Sequence, residues 1–207
     1  MLTSEFFSGR STQQVAAALL GKLLVCQTAQ GPLSAWITET EAYLGTADAG
    51  AHAFKNHQTN RNRVLWLPAG TIYIYQMRTQ FLLNLVTQAA GVPECVLIRG
   101  VEPASGIATM QANRPVPRNN LTTGPGKLMQ AFGLDKRLNG TQLSSETLNL
   151  DFKAARTPVK INSSSRIGIL NKADWTTAPL RYFVVGNPFV SRVRQREVDE
   201  VNHGWQE

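Results

Sequence analysis

Lys22-Leu23-Leu24-Val25-Cys26-Gln27-Thr28, then Ala29-Gln30-Gly31-Pro32, then Leu33-Ser34-Ala35-Trp36-Ile37-Thr38-Glu39-Thr40-Glu41-Ala42-Tyr43, reads as two strands joined by a turn. Gln30-Gly31-Pro32 supplies the turn, because glycine and proline punctuate extended runs. A short loop between two strands makes an antiparallel hairpin. Upstream, Ser11 to Leu20 reads as a helix, capped by Ser11 or Thr12 and apolar at Val15, Ala18 and Leu19, with Gly21 ending it. Downstream, Thr71–Gln76, Phe81–Thr87 and Cys95–Val101 are strands, the last ended by Glu102-Pro103, and Gln76 to Gln80 is a short polar connection. Ile107–Asn113 and Lys127–Phe132 read as helices, the second opened by Gly124-Pro125-Gly126. Leu148–Phe152, Ile167–Leu170 and Tyr182–Val185 read as strands, and the polar tail from Glu197 is expected to be mobile. With no internal repeat or linker, these elements fit one α+β domain over residues 1–207 with a mostly antiparallel sheet.

Charge narrows the partner. Residues 53–137 carry ten basic side chains against three acidic ones, and that excess of seven equals the net charge of the whole 207-residue chain. A basic middle calls for a polyanion, and nucleic acid is the commonest. No apolar run is long enough to span a bilayer, and Met1 to Phe7 lacks a secretory start, so an intracellular protein with no membrane partner is expected. Cys26 and Cys95 each sit in an apolar run and read as buried free thiols.

Chemistry-bearing residues are few. Along a strand Ile37, Glu39, Glu41 and Tyr43 fall on one side, with the two carboxylates about 7 Å apart. Such neighbours raise each other's proton affinity, which suits one of them to act as a base. A solvated edge strand with two ordinary acids is the competing reading. Tyr73 and Tyr75 share a strand face and fit either a core or a flat wall for a nucleobase. His52 and His57 with Asp48 are too few and too loosely spaced for a metal site, and no metal or cofactor is expected. Gly124-Pro125-Gly126 fits a structural turn or a phosphate contact. What remains is a carboxylate-driven reaction of water on a basic, aromatic-lined surface. A glycoside hydrolase using Glu39 and Glu41 explains the carboxylates but not the basic middle. A non-catalytic nucleic-acid binder would use the same aromatics and arginines.

Several stretches, in order and over nearly the whole chain, together resemble the alkyladenine (3-methyladenine) DNA glycosylase family. They are Glu39-Thr40-Glu41-Ala42-Tyr43-Leu44-Gly45, Ala51-His52, Thr59-Asn60-Arg61-Asn62-Arg63, Pro68 to Tyr75, Val96-Leu97-Ile98-Arg99-Gly100-Val101-Glu102-Pro103, Gly124 to Leu128, Arg166-Ile167-Gly168 and Leu180-Arg181-Tyr182-Phe183. The resemblance implies a curved antiparallel sheet edged by helices, like the C-terminal domain of formyltransferases. It implies that Glu41 deprotonates the attacking water, which Arg99 and the carbonyl of Ile167 help to hold. It further implies that Tyr43, Tyr75 and His52 wall the flipped base, with the His52 amide a donor to the base edge. Asn84 would crowd out a guanine amino group and Arg61 would contact phosphate.

The implied activity is monofunctional: alkylated or deaminated purines (3-methyladenine, 7-methylguanine, hypoxanthine, etheno-adenine) flipped from double-stranded DNA and excised by hydrolysis in base excision repair. A monomer acting with the DNA, in cytoplasm or nucleoid, is expected. Two positions depart from the family pattern. The hairpin tip Gln76-Met77-Arg78-Thr79-Gln80 lacks the family's wedge tyrosine and is one residue shorter, leaving Met77, ahead of Arg78, as the expected wedge. His57 stands where a family arginine contacts backbone.

Overall fold

Ser11 starts the first long helix as expected: its hydroxyl accepts from the Gln14 amide while the Gln14 side chain accepts from the Ser11 amide, a reciprocal cap. The structure, a computed structural model, describes residues 3–143 and 146–207. Helices α1 (Thr3–Phe7) and α2 (Thr12–Ala18) precede the hairpin of β1 (Leu23–Thr28) and β2 (Gly31–Tyr43). Strands β3 (Ile72–Met77), β4 (Gln80–Val86) and β5 (Cys95–Ser105) follow, then helices α3 (Ile107–Asn113) and α4 (Pro125–Ala131). Strands β6 (Leu148–Asp151), β7 (Ile161–Ser164) and β8 (Arg181–Val184) close the sheet. Its order is β3-β4-β5-β2-β1-β6, all antiparallel. The long β2 is shared on one side: β1 pairs with its first half and β8, backed by β7, with residues Glu39 to Glu41.

Strand alternation divides the sheet into two faces. Ala42, Ile72, Ile74, Leu83, Leu85, Val96 and Ile98 pack with Val15 and Ala16 of α2 and Leu128, Met129 and Ala131 of α4 in one buried cluster. The opposite face of β3, β4 and β5 carries Tyr75 and Met77, then Gln80, Leu82 and Asn84, then Cys95, Leu97 and Arg99, all lining one cavity. The α+β reading therefore holds, and the apolar period that builds the core also turns the polar residues of the same strands to a single site.

Four expectations are corrected and one element is added. Ile37 does not share the face of Glu41: it lies in the core cluster, because the β2–β5 register shifts between Ile37 and Glu39 and the bulge reverses the alternation. Strand β5 runs on through Pro103 to Ser105, since the register also shifts beside Pro103 and β4 pairs with β5 only as far as Leu97. A proline removes no ladder bond where the ladder is already interrupted. Ile167–Leu170 is a turn and not a strand; the strand lies earlier, in β7. The tail is packed against the fold: Trp205 is buried, its indole N–H donates to Glu102 at 2.7 Å, and the Gln206 amide donates to the Thr157 carbonyl at 2.8 Å. Helix α1, which buries Phe6 and Phe7, had no place in the sequence reading. Cys26 and Cys95 are buried and free as expected. Among the described residues no helix is long and apolar enough to cross a membrane.

Candidate active site

Two register shifts in β2 and β5 create the site. Glu39 pairs with Gly100 and Thr40 with Ile98, so Arg99 is the extra residue of a bulge and its side chain is re-aimed toward the β2 carboxylates. Its Nη1 lies 3.4 Å from Glu41 Oε1 and its Nε 3.3 Å from Glu39 Oε1. Glu41 is fully buried. Its Oε1 also accepts from the Ile167 amide at 2.7 Å, and its Oε2 accepts from the Tyr43 hydroxyl at 2.9 Å. Burial pushes the proton affinity of Glu41 above the usual carboxylate range. Arg99, the Ile167 amide and the Tyr43 hydroxyl pull it back, and the neighbouring Glu39 adds to the rise. Burial, and then the Glu41 charge, hold the Tyr43 hydroxyl protonated, so it remains a donor.

Glu39 and Glu41 are thus not an opposed glycosidase pair: both stand two residues apart on one strand, both are buried, and both share one arginine. Glu39 is held on its other side by Arg181 Nε at 2.5 Å and by the Ser191 amide at 2.9 Å.

A cavity of about 440 Å³ opens beside these groups, within the range of ligand pockets. Tyr43, His52, Tyr75, Asn84, Arg99 and Ile167 all line it, and no lysine does among the described residues. His52 stacks on Tyr75 with ring centroids 3.9 Å apart. Burial, reinforced by the Arg61 charge, lowers the proton affinity of His52 and keeps the ring neutral. Its Nδ1 lies 3.2 Å from the Tyr73 hydroxyl; a neutral ring accepting there carries its proton on Nε2. Asn84 donates to the Tyr73 and Leu82 carbonyls at 3.1 Å, which fixes the amide and leaves Oδ1 as its accepting atom.

Seven of the ten expected residues line this cavity, and Glu41 lies just behind it, bonded to Tyr43 and Ile167. Ile167 meets Glu41 through its amide, a contact separate from the one to water expected of its carbonyl. Met77 lines the mouth and is 49% exposed, an apolar side chain held out where a core residue would be covered. Arg78 occupies the two-residue turn beyond the last β3–β4 pair, Met77 with Gln80, at a φ of 55°. Arg61 stands apart from the lining: its guanidinium lies over the Tyr75 ring at 4.7 Å and donates to the Gln76 carbonyl, bracing the hairpin from the loop. Gly126 of α4 lies against the same hairpin; a Cβ there would sit 1.6 Å from Gln80 Oε1, so the Gln80 side chain would have to swing away to admit one.

Sequence reasoning gave no role to Arg166 and weighed Asp48 only as a metal ligand. The two form a fully buried ion pair, Arg166 Nη1 and Nη2 at 2.5 and 2.8 Å from the two Asp48 oxygens. Asp48 also accepts from the Leu44 and Gly50 amides, at 3.0 and 2.8 Å. Arg166 donates to the Ala42 carbonyl at 3.0 Å and lies over the Tyr43 ring at 4.6 Å. One guanidinium therefore ties the His52 loop, strand β2 and the Ile167 turn together. The local trace of this was an arginine set against Ile167-Gly168-Ile169-Leu170; its partner is 118 residues away. Asn62 clamps the loop's far side, donating to the His52 and His57 carbonyls at 3.0 and 2.9 Å.

Comparison with known proteins gives the family of the chain. Residues 5–188 match the methylpurine-DNA glycosylase family. A Lactiplantibacillus plantarum protein, by name a 3-methyladenine DNA glycosylase, is 63% identical over 200 residues, covering 97% of this chain and 96% of the relative. An Enterococcus faecalis protein of the same name is 43% identical, covering 99% of this chain and 90% of the relative. A Staphylococcus haemolyticus protein, again so named, is 44% identical, covering 96% and 98%.

Proposed function

The chain belongs to the methylpurine-DNA glycosylase family, and from that premise we propose that it hydrolyses the N-glycosyl bond of damaged purines in double-stranded DNA, 3-methyladenine first among them. The observation that carries this reading is Glu41: a carboxylate buried directly behind the Tyr43, Arg99 and Ile167 lining of an aromatic-walled cavity, with burial raising its affinity for a proton and Arg99 within 3.4 Å.

The chemistry follows from those groups. A purine cannot be reached inside the stack, so it must be flipped into the cavity, at a cost of a few kcal/mol that damage or mispairing reduces. Tyr43 and the stacked His52–Tyr75 pair offer it flat walls, and an alkylated, cationic ring gains from aromatic faces. Glu41 takes a proton from water; the oxygen forms a bond to the sugar carbon as its bond to the base nitrogen breaks, and the base leaves with that electron pair. Arg99 and the Ile167 backbone hold the water and keep the Glu41 carboxylate aligned. The products are a free base and an abasic site. With no lysine in the described lining to attack the sugar, the reaction ends there without strand cleavage.

The proposed range includes 7-methylguanine, hypoxanthine and etheno-adenine, with Asn84 discriminating against an unmodified guanine amino group. Met77 serves as the wedge, being apolar, exposed and at the cavity mouth, and Arg61 turns to phosphate when DNA binds. The protein acts as a monomer at the DNA. Incubation with methylated duplex tests this: free 3-methyladenine and uncleaved abasic DNA are expected. Tight binding of the duplex with every damaged base still attached would make the protein a binder and not a glycosylase.

A further inference from the structure

The site holds one arginine between two buried carboxylates, and one of them, Glu41, is bonded to Tyr43 and Ile167 of the cavity lining. We propose that Glu39 is a positioning residue: it holds Arg99 by its Nε edge so that a single guanidinium nitrogen serves Glu41, and thereby keeps Glu41 basic enough to take a proton from water. The inference rests on the reading of Glu41 as the base.

Geometry is the first support. Arg181, Glu39, Arg99 and Glu41 form a row of alternating charge, linked at 2.5, 3.3 and 3.4 Å. Glu39 has no exposed surface, and its carboxylate is saturated by Arg181, Arg99 and the Ser191 amide. Arg181 is itself fixed, donating to Ser164 Oγ at 3.0 Å and the Ser191 carbonyl at 2.8 Å. Two backbone irregularities are placed on either side of Glu39. A straight ladder would have given Arg99 an opposite partner on β2; the bulge frees it to bridge. Burying a second carboxylate beside a catalytic one is expensive unless it is paired, so its presence calls for a role.

Electrostatics supplies the role. A guanidinium given wholly to Glu41 in a bidentate pair would hold that carboxylate strongly ionised and make it a poor base. Dividing Arg99 weakens that pull, and the Glu39 charge acts in the same direction. The other groups facing Glu41 are Tyr43 on its own strand, Arg166 behind Tyr43 with Asp48 neutralising it, and His52, kept neutral, across the cavity.

Two substitutions with opposite signs test this. Glu39→Gln removes the competing charge, so the acid limb of the single-turnover rate–pH curve on methylated duplex should move to lower pH. The plateau should fall by about tenfold, short of the ~10²–10⁴ that losing a general base costs. Arg181→Gln leaves Glu39 to draw more of Arg99 and removes a cation, so the limb should move to higher pH. Carbon-13 NMR titration of the Glu41 carboxyl in DNA-free protein should show the same two displacements. Loss of rate in both variants with neither curve displaced would reduce Glu39 to a structural part and overturn the proposal. Should wild type release no base, the functional reading fails while the carboxyl titration still decides this one. Should Glu39→Gln not fold, Arg181→Gln alone carries the sign.

Discussion

Replacing Arg166 by methionine keeps most of the side-chain volume and removes the guanidinium that joins three segments. Both members of its pair with Asp48 are shielded completely from solvent, so the change leaves a buried carboxylate without its counter-ion. Breaking such a pair from one side costs about 3–5 kcal/mol. At ~2–4 °C per kcal/mol for a chain of this size, the midpoint of thermal unfolding should fall by about 6–20 °C. Equilibrium urea unfolding at neutral pH measures the free energy, with m checked for constancy. The double variant Asp48→Leu with Arg166→Met should recover much of the loss, because no charge is left unpaired. Turnover should not recover with it: the Ile167 turn and the Tyr43 ring both lean on Arg166, and a misplacement of about 1 Å can cost ~10²-fold in rate. A single variant within about 1 kcal/mol of wild type, with unchanged turnover, would refute the clamp.

Three further outcomes follow from the same contacts. The hydroxyl of Tyr43 stabilises ionised Glu41, so base release should fall as pH drops through the raised Glu41 range, and Tyr43→Phe should move that acid limb to higher pH; an unmoved limb would detach Tyr43 from the base. Met77→Ala should weaken capture of a flipped fluorescent base more than Arg78→Ala, the reverse order making Arg78 the wedge. Trp205→Ala should cost about 3–5 kcal/mol in urea unfolding, because the indole is buried and is one of the groups satisfying Glu102; a loss under about 1 kcal/mol would show the tail to be dispensable.

The strands that build the site were legible because they are periodic. Tyr73 and Tyr75 announce a shared face, and Leu33 to Tyr43 announces a long strand, with the register of β3, β4 and β5 then bringing Asn84 and Arg99 alongside. Ile37 was misplaced because a bulge is set by the partner strand and leaves no mark on the local alternation. Ile167–Leu170 was misread for a related reason: an apolar run looks extended, yet here it is a turn held by Arg166 and Glu41, residues distant in sequence. The pairs Arg166–Asp48 and Arg181–Glu39 span 118 and 142 residues, so no local pattern encodes them. The tail failed on composition, since its polar average hides the one tryptophan that docks it.

The central claim is that Glu41 activates the water, and Glu41→Gln tests it most directly. The variant keeps the size of the side chain and an oxygen to accept from Ile167, but it cannot take a proton. Single-turnover release of 3-methyladenine from methylated duplex, measured beside duplex affinity, should show binding retained and the rate reduced by ~10²–10⁴. Release within a few-fold of wild type at equal occupancy would contradict the account and move the base elsewhere.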